Sequence, residues 1–224
     1  MKVHFAGNGV FPDVLLAAGV RYRLESFYDY CCRGGADGVE ALNKYNHSII
    51  DSGLFTLMFG AESHTVLDEA FLDNYLKKYV AFIKGNSFKN CSFVELDVQK
   101  KLSPEAAWHY RKKMKSLLPG VEIINTYHLE DGNPDKLIEY CEYIAVSIPE
   151  LRLNVGNQER MRITNYIARK AKLKGKKVHL LDRRRLPVRY RRRQYGGRTL
   201  WRGCPVHYGL PHYTVRPVHA RPAA

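Results

Sequence analysis

Short apolar segments that alternate with longer amphipathic segments are the feature of this sequence that most constrains its fold. Seven apolar segments predict β-strands, at residues 2–7, 24–30, 47–51, 92–97, 121–128, 143–148 and 177–181. Four intervening segments carry apolar residues at helical spacing and predict α-helices, at residues 65–85, 103–120, 133–142 and 158–175. Strands that alternate with helices in this way are typical of βα units around a parallel sheet.

The number of βα steps indicates the architecture of that sheet. Seven steps within residues 1–182 predict an α/β fold of the (β/α)8 TIM-barrel type that is incomplete at its eighth strand. An open, doubly wound sheet is the main alternative. Both architectures bind ligands at the carboxyl ends of their strands, so the residues at those ends are the candidates for a functional site.

The composition is that of a globular protein without a membrane span. Of the 224 residues, 45% are hydrophobic and 26% are charged, and no apolar run approaches the ~20 residues that a transmembrane helix needs. The N-terminal segment lacks the features of a signal peptide. The number of cysteines, five, is odd and does not suggest a disulfide framework. We therefore expect a cytoplasmic protein.

The positive charge is concentrated toward the C-terminal end of the sequence. Residues 1–182 contain 25 basic and 22 acidic side chains, whereas residues 183–224 contain 11 arginines and no acidic residue. Lysine is the commoner basic residue in the first segment and is absent from the second. This abrupt change predicts a barrel-like unit over residues 1–182 and an irregular or disordered Arg-rich tail over residues 183–224.

Several predicted strands end on side chains that can form hydrogen bonds or exchange protons. These ends include Asp51-Ser52-Gly53, Asp97, His128 and Ser147. Two carboxylates at one end of a barrel can divide acid, base and recognition roles, because the surroundings of each set its pKa. Phe55, Tyr28 and Tyr127 are candidates for stacking on a flat ring. The structural alternatives are a turn aspartate for Asp51, local hydrogen bonding for His128 and a core position for Phe55.

The sequence around Asp51, IIDSGLFT, resembles the Asp-Ser-Gly-x-Phe signature of the tRNA-guanine transglycosylase superfamily. Members of this superfamily exchange guanine for a 7-deazaguanine base. The segments KVHFAG, IIDSGLFT, FVELD, NTYH, YIAVSI and KVHLL follow the layout of its short phage-encoded branch, which is thought to modify DNA. The resemblance covers about residues 1–181. It implies a pentosyltransferase that acts on DNA, or alternatively on tRNA, and that uses neither a cofactor nor a catalytic metal.

The resemblance also implies roles for individual residues. Asp51 would be the acid/base near the reacting base, and Asp97 would bind the guanine edge. Ser52 and Gly53 would shape the loop, and Phe55 would line the pocket. Ser147 would lie where the superfamily has a glycine that approaches the base. His128 matches a strand-end histidine of the phage-type branch to which no role is assigned.

The end of the sequence departs from the superfamily pattern. The nucleophilic aspartate expected on an eighth strand is missing, because no acidic residue follows Asp182. The body also lacks the cysteine cluster that holds a structural zinc in the tRNA-modifying members, which favours a DNA substrate. Cys204 with His207 and His212 is too sparse for such a site, because structural zinc requires four ligands.

Three interpretations of residues 183–224 follow. The segment is an arm that binds nucleic-acid phosphates through arginines such as Arg191, Arg192 and Arg193, a frame-shifted translation of the end of the gene, or an unfamiliar native segment. Two other functions are alternatives to base exchange. One is a metal-dependent barrel hydrolase that uses Asp51, Asp97 and His128. The other is a non-catalytic nucleic-acid-binding protein that acts through the tail.

Overall fold

The computed structural model describes residues 2–6, 12–32, 39–59 and 67–181. These residues form one seven-stranded sheet in which every neighbouring pair of strands is parallel and the strand order is the chain order. The strands are β1 (Phe5–Ala6), β2 (Tyr22–Ser26), β3 (His47–Asp51), β4 (Cys91–Val94), β5 (Ile123–Tyr127), β6 (Tyr143–Ser147) and β7 (Lys177–Leu181). The predicted parallel α/β architecture is therefore confirmed.

Helices connect the successive strands. They are α1 (Pro12–Ala17), α2 (Phe27–Cys32), α3 (Val39–Leu42), α4 (Leu54–Phe59), α5 (Glu69–Gly85), α6 (Pro104–Leu117), α7 (Asp135–Tyr140), α8 (Ile148–Asn154) and α9 (Asn157–Leu173), together with a 3-10 turn at Leu129–Asp131. Two of these helices begin at a residue whose side chain caps the first turn. Asp68 accepts a hydrogen bond from the Phe71 N–H at the start of α5, and Ser103 accepts one from the Ala106 N–H at the start of α6.

The sheet is curled, so that its first and last strands approach each other on the inside. The ring of His4, which immediately precedes β1, lies 5.4 Å from the ring of His179 on β7, although these strands are not hydrogen-bonded neighbours. The fold is thus a half-barrel that is compatible with the predicted TIM type. The predicted tail, with Arg191, Arg192 and Arg193, lies outside the described residues.

Two apolar layers lie on opposite faces of the curled sheet. The inner layer packs side chains of successive strands against one another: Ile49, Val94, Ile124, Tyr143 and Ala145. The outer layer packs the other faces of the strands against the helices, and includes Tyr79 of α5 and Met114 of α6, neither of which is exposed. Within the described ranges, no helix combines the length and apolar character needed to cross a membrane.

The prediction of a strand over residues 24–30 is wrong in its second half. β2 ends at Ser26, and α2 begins at Phe27. The reason is packing on the outer face, where the Phe27 ring lies 4.8 Å from that of Tyr79 and 5.4 Å from that of Tyr75. A strand would send Phe27 and Tyr28 to opposite faces, whereas the helix buries both of them in the outer layer.

Three histidines meet at the amino-terminal end of the half-barrel. His4 Nε2 lies 3.0 Å from His47 Nδ1, and the rings of His4 and His179 are in edge contact. Burial, together with the nearby charges of His179, His47 and Lys2, lowers the pKa of His4 to about 4. Burial also lowers the pKa values of His47 and His179. The three imidazoles are therefore neutral at pH 7. Protonating any of them would place a charge in this buried cluster, which is unfavourable.

We predict that His4 makes folding sensitive to acid. Its pKa in the folded chain is about 4, against 6.5 for the ordinary group, so the unfolded chain binds the proton more readily and the free energy of unfolding falls between pH 6.5 and 4. Urea unfolding at a series of pH values should show a shallower fall for His4→Gln than for the wild type. His109→Gln, at an exposed position on α6, should retain the wild-type slope. Equal slopes for wild type and His4→Gln would contradict the prediction.

Candidate functional site

Asp51 lies at the carboxyl end of β3 and faces the inside of the half-barrel. It is two residues beyond Ile49, which belongs to the inner layer, and alternate residues of a strand share a face. It pairs in register with Ser26, the last residue of β2. The predicted acid/base residue is therefore at the edge of the sheet where a barrel binds its ligands.

The segment Asp51-Ser52-Gly53 is a tight turn held by its own side chain. The Gly53 N–H donates to Asp51 Oδ1 at 2.6 Å. Gly53 has φ of +75°, and a Cβ at this position would lie 2.4 Å from the Tyr28 Cβ, so only glycine fits. Ser52 is buried, and its carbonyl accepts a hydrogen bond of 2.6 Å from the Tyr75 hydroxyl. The turn thereby fixes the orientation of the Asp51 carboxylate.

The aromatic candidates occupy different environments. Phe55, in the first turn of α4, is 49% exposed, which suits a ring at the wall of a pocket. Tyr28 and Tyr127 are only 2% and 4% exposed. Tyr28 lies in the outer layer, and the Tyr127 hydroxyl donates to the Gly132 carbonyl. Their predicted role in stacking on a ligand is therefore wrong, since both rings are core residues.

A chain of ion pairs crosses the carboxyl edge from β4 to α8. His128 Nε2 lies 2.7 Å from Asp97 Oδ1, and His128 Nδ1 lies 2.5 Å from Glu150 Oε2. The Lys100 ammonium extends this chain, because it lies 2.9 Å from Glu150 and also contacts Glu130. Asp97 and His128 were candidates from the sequence, and the structure brings them into direct contact.

The electrostatics of this chain hold His128 in its protonated form. Burial alone would lower the pKa of His128, but its contacts with Asp97 and Glu150 prevail and raise that pKa to about 10. Burial opposes ionisation of Glu150, yet the contacts with His128 and Lys100 lower the pKa of this carboxyl to about 2. At neutral pH the His128 imidazolium therefore lies between the side chains of Asp97 and Glu150, and its charge favours the ionised form of Glu150.

A second network of charged side chains is buried next to the chain of ion pairs and is linked to it through the His128 backbone. Glu95 accepts hydrogen bonds from the Arg111 Nε at 2.9 and 3.0 Å, and from the Thr126 N–H at 2.8 Å. Arg111 also donates to Asp131 at 3.1 Å. Asp131 accepts a hydrogen bond of 3.0 Å from the His128 N–H. The backbone at Thr126 is thus fixed by Glu95 and Arg111, and the backbone at His128, just beyond β5, is fixed by Asp131.

Sequence reasoning assigned no role to Glu150, Lys100 or Arg111. Glu150 follows the end of β6 by three residues, and Lys100 follows Asp97 by three. Position near a strand end was therefore the signal that could have identified Glu150, whereas Lys100 lies six residues beyond the end of β4. Ser147, predicted to approach the base, is the last residue of β6 and is partly buried.

Three side chains of this region could hold a metal ion. His128, Glu130 and Glu150 have ligand atoms within 4.8 Å of one another. Lys100 already contacts both glutamates, and the raised pKa of His128 keeps its ring protonated. A metal would have to displace this ammonium and a proton. Of the predicted metal ligands, Asp97 and His128 are in contact, whereas Asp51 lies on β3 and accepts from Gly53.

Comparison with known proteins identifies no relative of this chain. No family, curated protein or solved structure matches the chain.

We predict that replacing His128 exposes the energetic role of the ion-pair chain. His128→Gln removes the cation that Asp97 and Glu150 share, but Glu150 keeps Lys100 and Asp97 is partly exposed, so the free energy of unfolding should fall by less than the about 3–5 kcal/mol that breaking a fully buried pair costs. The raised pKa of His128 means that its contribution is complete below pH 6.5 and is lost as the pH rises through about 10. Denaturant unfolding should therefore show a difference between wild type and variant that shrinks from pH 6.5 to 10. A difference that is independent of pH would contradict this assignment.

Proposed function

We propose that this protein is a base-exchange transglycosylase that replaces guanine by a 7-deazaguanine derivative in a nucleic acid, with DNA favoured over tRNA. The observation that carries the proposal is the position of two carboxylates at one edge of the sheet. Asp51 ends β3, and Asp97 follows the neighbouring strand β4. Each is held by a different partner, Asp51 by the Gly53 N–H and Asp97 by the His128 imidazolium.

The two carboxylates suit different tasks in base exchange. The reaction breaks the bond between the sugar C1′ and guanine and forms a new bond from C1′ to the incoming base. Asp51, which faces the inside of the half-barrel, supplies a proton to the departing guanine and removes one from the incoming base. Asp97 accepts hydrogen bonds from ring and exocyclic N–H groups of the base. We assign no side chain of the described residues to attack on the sugar carbon.

The His128 cation determines how Asp97 can act. The contact with the His128 imidazolium orients the Asp97 carboxylate, whose oxygens accept hydrogen bonds. It therefore selects a base that presents N–H donors, as the edge of guanine does. The exposed Phe55 ring supplies a surface against which an extruded base can stack.

We predict that labelled guanine is incorporated into nucleic acid and that Asp51→Asn lowers this incorporation by about 10²–10⁴-fold, because a positioned acid/base group contributes about that factor. The assay compares duplex DNA and tRNA as acceptors side by side. Asp13→Asn is the matched control, because Asp13 is an exposed aspartate of α1 paired with Lys44, and it should retain wild-type activity. Equal incorporation by wild type and Asp51→Asn would remove Asp51 from the reaction.

A metal-dependent barrel hydrolase is a second candidate, favoured by the cluster of His128, Glu130 and Glu150. The same assay distinguishes the two functions when it is repeated with a chelator. Base exchange should persist in the presence of the chelator. A metal-dependent hydrolase would instead release sugar or phosphate products, and the chelator would stop that release. Folded wild-type protein that incorporates guanine into neither polymer would overturn the transglycosylase proposal.

A further inference from the structure

A ring of small polar side chains lies above the inner apolar layer. Alternate residues within a strand share a face, so a strand residue two positions beyond an inner-layer residue also faces inward. These residues end or nearly end four strands: Ser26 of β2, Asp51 of β3, Thr126 of β5 and Ser147 of β6. The ring separates the packed interior of the half-barrel from its carboxyl edge.

Thr126 is a member of this ring whose hydroxyl lacks a partner within the described residues, although the residue is only 1% exposed. Its N–H donates to Glu95 at 2.8 Å, and its carbonyl accepts from Arg111 at 2.7 Å. The hydroxyl oxygen is buried and forms no hydrogen bond within the described residues. The Ser26 hydroxyl is in the same condition. A buried polar group without a partner is costly and rare, and one explanation of such a group is a ligand that supplies the partner.

The surroundings of Thr126 indicate the chemistry of that ligand. His128 directly follows β5, and its extended backbone places it on the same side as Thr126, two residues further along, where it contacts Asp97. The Thr126 hydroxyl therefore lies about one pleat, roughly 7 Å, below this ion pair. The carboxylates of Asp51 and Asp97, at the same edge of the sheet, accept hydrogen bonds, so a ligand that contacts them carries N–H donors. The hydroxyl is a donor as well, and its complement is a carbonyl oxygen.

We propose that Thr126 is a specificity-determining residue whose hydroxyl donates a hydrogen bond to the ring carbonyl of a planar base held at the carboxyl edge. The inference rests on the proposed function and deepens it. Donors facing the carboxylates and a carbonyl facing Thr126 together describe a guanine-like heterocycle, and they disfavour adenine, which has no carbonyl. The unpaired hydroxyl in the ligand-free protein is then a group kept ready for the base.

The test measures stability and binding on the same variants of the full chain. Thr126→Val removes the hydroxyl and conserves the shape, whereas Thr126→Ser retains the hydroxyl. Thr164→Val is the matched control, because its hydroxyl on α9 is also buried without a partner. Thermal unfolding reports stability, and equilibrium dialysis with labelled guanine reports the dissociation constant.

We expect Thr126→Val to keep or raise the melting temperature and to weaken guanine binding at least tenfold, because no structural hydrogen bond is lost while a ligand contact is. Thr126→Ser should bind within about threefold of wild type, since one retained hydroxyl preserves the contact. Thr164→Val should unfold like Thr126→Val and bind guanine like the wild type.

Three other results would overturn the inference, each in a recognisable way. A lower melting temperature for Thr126→Val would show that the hydroxyl has a structural partner. Unchanged guanine binding by a stable Thr126→Val would remove its recognition role while leaving base exchange intact. Wild-type protein that neither binds nor incorporates guanine would instead refute the proposed function itself, and that failure appears without any variant.

Discussion

The buried guanidinium of Arg111 is the interaction on which the carboxyl edge depends. One side chain of α6 bonds to Glu95 after β4, to the Thr126 carbonyl of β5 and to Asp131 beyond it. Burial raises the pKa of Glu95, and the Arg111 charge opposes that effect. Without Arg111 a carboxylate would be buried unpaired, which is strongly unfavourable. The positions of Thr126 and His128, and through His128 that of Asp97, follow from this one anchor.

The charges above this anchor give the carboxyl edge an electrostatic character. Its ion-pair chain contains two cations, His128 and Lys100, against the carboxylates of Asp97, Glu130 and Glu150. Carboxylates in excess of cations favour a reaction in which positive charge develops, because fixed groups of opposite sign stabilise a transition state without reorganising. Cleavage of a glycosidic bond passes through such a cationic sugar. The field therefore suits the proposed base exchange and does not favour an anionic intermediate.

Prediction from sequence succeeded where structure is local and failed where it depends on distant partners. The strands at 47–51 and 177–181 have the predicted bounds, because apolar runs bounded by polar residues contain that information. The parallel sheet then brought Asp51 and Asp97 to one edge. Arg111 lies in a lysine-rich helical segment, where nothing local distinguishes a buried arginine from solvated neighbours. His128 and Glu150 are 22 residues apart in the sequence, so their contact could be recognised only from the three-dimensional structure.

Strand β3 ends at Asp51, and the turn Asp51-Ser52-Gly53 follows. A structural role for Asp51 in this turn is compatible with the functional role proposed for it. The short hydrogen bond from Gly53 fixes the carboxylate, and the close approach of Tyr28 makes the glycine necessary. A carboxylate has about four lone-pair sites, so one bond to the turn does not exhaust its capacity to accept a proton. The turn supplies the orientation that acid/base chemistry requires, because efficient proton transfer depends first on geometry and then on pKa. The local constraint on Asp51 is therefore compatible with the acid/base role proposed for it.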